Sequence, residues 1–153
     1  MYYTHLALAI FFGLFTLNYF YIPYAWLFML VVIVSGFLPD IDAPNSKIGR
    51  KFKPISWLLK FFFGHRKLIH SIFIPIILFI MFWFVNLKFV AWGILIGWIS
   101  HLVGDMLTKE GILPFYPIKL KLRGLIKTAG LIEKILFVII ILLDVCFLVR
   151  LFI

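Results

Sequence analysis

The chain has 153 residues, is 65% hydrophobic with a mean hydropathy of +1.15, and carries a formal net charge of +9. Ordinary soluble domains are about 45–50% apolar, so this composition excludes one and predicts a single compact integral membrane domain over residues 1–153. The positive charge does not point to nucleic acid, because Lys and Arg cluster just outside the apolar segments, where anionic headgroups would meet them.

In chain order, MYYTHLALAIFFGLF opens without a basic leader region, and no A-x-A-like cleavage site follows it, so a retained helix is expected. Hydropathy predicts five helices, roughly His5–Tyr21, Ile22–Leu38, Leu68–Leu87, Phe89–Leu107 and Leu131–Ile153. Tight turns at Ile22-Pro23-Tyr24 and Asn86-Leu87-Lys88 would join the first pair and the middle pair. Between the second and third lies a long basic loop whose ISWLLKFFF (55–63) is too short to span and reads as an interfacial helix. Between the fourth and fifth, IKLKLR (118–123) alternates apolar and basic residues, which suits a short hairpin or an irregular loop on the headgroup layer. The expected fold is therefore an all-α bundle of about five transmembrane helices. Cys146 stands alone in an apolar segment, so neither a disulfide framework nor a thiolate metal site is expected.

Of the 15 basic residues, 13 fall on one side of this topology, leaving only Lys88 and Arg150 on the other. The positive-inside rule then places the N-terminus and both long loops in the cytoplasm and the C-terminus outside, a multi-pass inner-membrane arrangement.

The ionisable groups collect at that same face. His5 opens the first helix, Asp40 and Asp42 close the second, and His65 and His70 precede the third. His101 and Asp105 end the fourth, Glu110 follows, and Glu133 begins the fifth. His101 and Asp105 are four residues apart and share a helix stripe that Thr108 extends. Each group has a plainer reading: an interfacial histidine, turn chemistry after Pro39, a hydrogen-bonded helix end, a solvated loop. Their coincidence at one face favours a divalent-metal site built by several helix ends. Asp144 is the exception, about 16 Å deeper than Glu133 on the same helix face; a protonated, hydrogen-bonded carboxyl is expected there, with a proton or ion path as the alternative.

The strings TH (4–5), LPDIDAPNSKIGR (38–50), GHRKLIHS (64–71), SHLVGDMLTKEG (100–111), PFYP (114–117) and KTAGLIE (127–133) resemble, in order, the membrane-bound metal-dependent hydrolases described as LexA-binding and inner-membrane-associated. More distantly, the early His, the Asp pair, His70 and the HxxxD of His101/Asp105 are similar to zinc-dependent phospholipase C and P1-type nucleases. The further HxxxE of those enzymes is missing here, so two metal ions are expected rather than three, with Glu133 as a substitute ligand.

Those resemblances imply a metal-dependent hydrolase of phospholipids or related phosphate esters. Zinc is the expected ion, with manganese or iron as alternatives. His70, His101, Asp105 and one of Asp40 and Asp42 would hold one ion; His5, a bridging Asp105 and Glu133 would hold the other. The second aspartate, Asp42 in particular, would act as base or orient a histidine. His65 would protonate the leaving oxygen or ligate, and Arg66 and Lys67 would contact phosphate. Asn45, Ser46 and Ser71 are candidates for hydrogen bonding or capping, and Glu110 for ordering its loop. The competing reading is a non-catalytic metal-binding membrane protein, a sensor or transporter. Transporters place ligands near the midplane, where this chain offers only Asn18, Ser35 and Asp144.

Overall fold

The computed structural model describes residues 1–63 and 67–153, so His65 and Arg66 lie outside the described residues. Six α-helices follow in order: α1 (Tyr2–Tyr19), α2 (Ala25–Phe37), α3 (Lys53–Phe63), α4 (Phe73–Phe84), α5 (Lys88–Met106) and α6 (Leu131–Arg150). Between α2 and α3, Pro39 tightens the chain into a 3-10 helix, Leu38–Asp42, instead of ending the helix outright. The two tight turns form as expected, with Tyr24 and Asn86 in the left-handed region at φ 58° and 62°. ISWLLKFFF forms the helix α3. IKLKLR makes no ladder: among the described residues, strand-like pairing is limited to the isolated bridges Thr108–Ile126 and Ile112–Leu122.

α5 is the central rod, in contact with α1, α2 and α4, while α6 packs on α1. Its small residues set the closest approach. Gly93 and Gly97 sit against Val31 and Ser35 of α2, and the Ser35 hydroxyl donates to the Gly93 carbonyl at 3.0 Å. A Cβ on Gly97 would run into the Val32 carbonyl and the Ser35 hydroxyl. Such small-residue seams let helix backbones approach closely where burial of apolar surface gives no drive, as in lipid.

Side-chain pairings fix the directions. Phe28 and Val31 face Gly93, whereas Val32 and Gly36 face Gly97, so α2 and α5 are parallel. Gly13 faces Met29 and Ala9 faces Gly36, so α1 is antiparallel to α2. The Trp98 indole donates to the Ile69 carbonyl at 3.1 Å and Phe79 meets Trp92 edge-on, so α4 is antiparallel to α5. Thr4 bonds Glu133 and Asn18 bonds the Phe147 carbonyl, so α1 and α6 are parallel. Five rods thus alternate in direction, and the starts of α1, α4 and α6 share one end of the bundle with the ends of α2 and α5.

Among the described residues, two helical stretches are long and apolar enough to cross a bilayer: Ala25–Asp42, α2 with its 3-10 extension, and Lys88–Met106. The other three expected spans differ for identifiable reasons. α4 has 12 residues, about 18 Å at 1.5 Å per residue. α6 carries Glu133, Lys134 and Asp144, and α1 carries Tyr2, Tyr3, His5 and Asn18.

Gly97→Val should overpack the α2–α5 seam and remove about 1–3 kcal/mol of stability, read as a lower thermal midpoint in detergent. An unchanged midpoint would mean the two helices are not in contact there.

Candidate metal centre

The last turn and a half of α5 supplies His101 and Asp105 on one buried stripe. His101 Nδ1 lies 2.8 Å from the Gly36 carbonyl of α2. A carbonyl only accepts, so Nδ1 carries the proton, and in the neutral ring Nε2 presents its lone pair. That Nε2 is buried and has no hydrogen-bond partner among the described residues. It faces Asp105 Oδ2 at 3.7 Å and Asp40 Oδ1 at 3.9 Å.

His5, one turn into α1, comes from the opposite side. Its ring stacks on His101 with centroids 4.2 Å apart and planes at 15°, and its Nε2 is 3.4 Å from Asp105 Oδ1. Gly104 makes this possible, because a Cβ there would lie 2.6 Å from His5 Nδ1. His70 arrives on non-helical chain before α4, pinned at both sides. The Ile69 carbonyl accepts from Trp98, and the Ile72 amide donates to the Pro114 carbonyl at 2.8 Å. Its Nε2 is 3.4 Å from Asp105 Oδ2, and its Nδ1 is 3.5 Å from Asp42 Oδ2.

The 3-10 helix separates the two aspartates. Residues two apart at three per turn point in different directions, so Asp42 is fully buried behind His70 while the Asp40 side chain, 24% exposed, stands at the mouth. Ser46 holds this turn, donating to the Asp40 carbonyl at 2.8 Å and accepting from the Gly49 amide at 2.8 Å.

The centre therefore has two overlapping donor triads, His5·His101·Asp105 and Asp40·His70·His101, each with ligand atoms within 4.8 Å of one another. These separations of 3.4–3.9 Å exceed the N–H···O range of about 2.7–3.2 Å. They approach the roughly 3.3 Å that separates ligands on a shared tetrahedral ion with 2.0–2.1 Å bonds. Buried imidazoles and carboxylates are costly unless a shared proton or a cation joins them. The donor set fits a divalent ion of the zinc, iron or manganese type.

Other expected site residues lie elsewhere. Glu133 accepts from Thr4 Oγ1 at 2.7 Å and the Ala129 amide at 2.6 Å, with the Met1 nitrogen 3.1 Å away; this network clamps α1 to α6, and neither donor triad includes Glu133. Glu110 accepts from Thr128 at 3.2 Å within the second loop. Thr108 is buried at the end of α5, donating to the Asp105 carbonyl at 2.7 Å and accepting from the Gly111 amide at 3.2 Å. Ser71 is buried beside His70, and Lys67 belongs to the turn before α4. Asp144 is buried on the α1-facing side of α6, but its carboxyl has no hydrogen-bond partner among the described residues, contrary to the hydrogen-bonded state expected. The residues that reading the sequence missed are supports: Gly36, Trp98, Gly104 and Pro114. The repeated small residues of GILIG and of HLVGD were the available signal for two of the packing sites.

A family model described as the YdjM inner membrane protein matches residues 1–151. The chain belongs to that family. It is 37% identical over 105 residues to YvsG of Bacillus subtilis, covering 67% of this chain and 66% of that protein. It is 32% identical over 105 residues to the inner membrane protein YdjM of Escherichia coli, covering 64% of this chain and 53% of that protein. The chain thus spans between about half and two thirds of the length of these curated relatives. No solved structure matches it. The resemblance drawn from the motifs is met at the level of a membrane-protein family.

Asp42→Asn should weaken metal binding about 10–100-fold, the usual effect of removing a partner that orients a ligating histidine, in a competition titration against a chromophoric chelator. Glu133→Gln should bind metal as the unaltered chain does. Equal affinities for Asp42→Asn and the unaltered chain would remove Asp42 from its place behind His70.

Proposed function

We propose that the chain is a membrane-embedded, metal-dependent hydrolase that cleaves phosphate esters of lipid or lipid-like molecules at the cytoplasmic face. The observation that carries this reading is the orientation of His101: its Nδ1 is committed to the Gly36 carbonyl, and its buried Nε2 faces carboxylates brought in by other segments. The alternating helix directions support the placement, since every basic loop then lies at the same end as the centre. Membership in an inner membrane protein family supports the location.

His5, His70 and His101 through Nε2, with Asp105, would hold the ion. His101 has one lone pair to give, so the two triads that share it would serve one ion, with Asp40 left outside its ligand set. Asp105 turns Oδ1 to His5 and Oδ2 to His70 and His101, which makes it the group that would bridge to a second. When bound, a divalent ion supplies polarisation of a phosphoryl oxygen and an acidified water. Asp42 fixes the His70 ring and Gly36 fixes the His101 tautomer, so neither ring need reorganise. Asp40, partly open at the mouth, would accept the proton released as water displaces the ester's alcohol oxygen from phosphorus, and return it to that departing oxygen. The basic rim that includes Lys47, Arg50, Lys51 and Lys67 would attract the anionic ester.

Metal analysis of purified protein, paired with hydrolysis of a soluble phosphodiester and of anionic phospholipid, tests this. His101→Ala and Asp105→Asn should lose both metal and activity. Asp40→Asn should keep metal and lose about 10²-fold or more in kcat. Bound metal without turnover of any phosphoester would favour a metal sensor instead.

A further inference from the structure

One side of α3 is rich in exposed residues. Ser56 is fully buried against the 3-10 helix, whereas Ile55, Trp57, Leu58 and Phe61 are 50%, 66%, 57% and 75% exposed. At about 100° per residue, Trp57, Phe61 and Leu58 form one stripe, and Lys53 and Lys60 fall together along its edge. A groove of about 230 Å³ opens between Trp57, Lys60 and Phe61. Apolar stripe, aromatic residues and flanking lysines are the ingredients of a helix that lies in a membrane interface, with lysine stems reaching up to headgroup phosphates.

α3 also packs directly on the 3-10 helix that carries Asp40 and Asp42. The outer stripe lies on the face of α3 opposite that contact, so it is joined to the centre through the helix itself. The charge complementarity selects the occupant: Lys51, Lys53 and Lys60, on a chain of net charge +9, suit an anionic surface and not a neutral one.

We propose that α3 is a docking strip for anionic phospholipid, seating acyl chains on Trp57 and Phe61 and headgroup phosphate on Lys53 and Lys60. The strip selects lipid by charge before any chemistry occurs. That such a lipid is also the substrate rests on the hydrolase reading above; the docking itself does not.

The test uses the full chain in nanodiscs of phosphatidylcholine with and without phosphatidylglycerol, each lipid brominated in turn. The tryptophan quenching lost on Trp57→Phe isolates the signal of position 57 from the other four tryptophans. Brominated phosphatidylglycerol should quench that component more than brominated phosphatidylcholine at equal mole fraction. Lys53→Gln and Lys60→Gln should each reduce the preference by up to about fivefold, leaving metal content and hydrolysis of a soluble phosphodiester unchanged. Equal quenching by the two lipids, or a preference indifferent to both lysines, would overturn the docking strip even if the soluble ester is hydrolysed. A preserved preference with no hydrolysis of any ester would uphold docking and count against the hydrolase reading alone.

Discussion

A single hydrogen bond organises the centre. By accepting from His101 Nδ1, the Gly36 carbonyl leaves Nε2 as a lone pair, buried among carboxylate oxygens that are themselves acceptors. Acceptors facing acceptors repel, and the separations of 3.7 and 3.9 Å are too long for a shared proton to bridge well. A cation in their midst would resolve the conflict. The close α2–α5 seam, the glycine opposite His5 and the double pinning of the His70 segment all serve to hold rings at those distances.

The seam is what makes the hydrogen bond possible. Gly36 can offer its carbonyl to a neighbouring helix only because Gly97 and Ser100 keep α5 close, and Gly104 keeps α1 close on the other side. Alternation of helix direction then does the rest: four separate segments are delivered to one end, and each needs to contribute only one or two side chains. In α1 the polar groups stand at the two ends, Thr4 and His5 at the centre's end and Asn18 at the other.

Much of this was legible in the sequence because the signals were periodic or paired. Hydropathy located the rods, the four-residue spacing located the His101/Asp105 stripe, and basic residues marked the shared end. The amphipathic stretch 55–63 formed a helix, and Asn86 and Tyr24 took the turns assigned to them. What could not be read depended on through-space relations that leave no local pattern. Asp40 and Asp42 look equivalent in sequence, yet a 3-10 turn sends one to the mouth and the other behind His70. Glu133 has the right chemistry for a ligand, but parallel packing of α6 on α1 hands it to Thr4 and the Ala129 amide. The alternating IKLKLR settles as a loop because Ile112, buried among Trp98 and Leu102, pairs with Leu122 at only one bridge.

The most direct measurement is zinc K-edge X-ray absorption on the zinc-loaded full chain. Nitrogen and oxygen scatterers at about 2.0–2.1 Å, with the outer-shell pattern of three imidazoles that falls to two in His5→Ala, are the expected result. A shell of oxygens alone, or an imidazole pattern unchanged by loss of His5 and His101, would contradict a centre assembled from the ends of these helices.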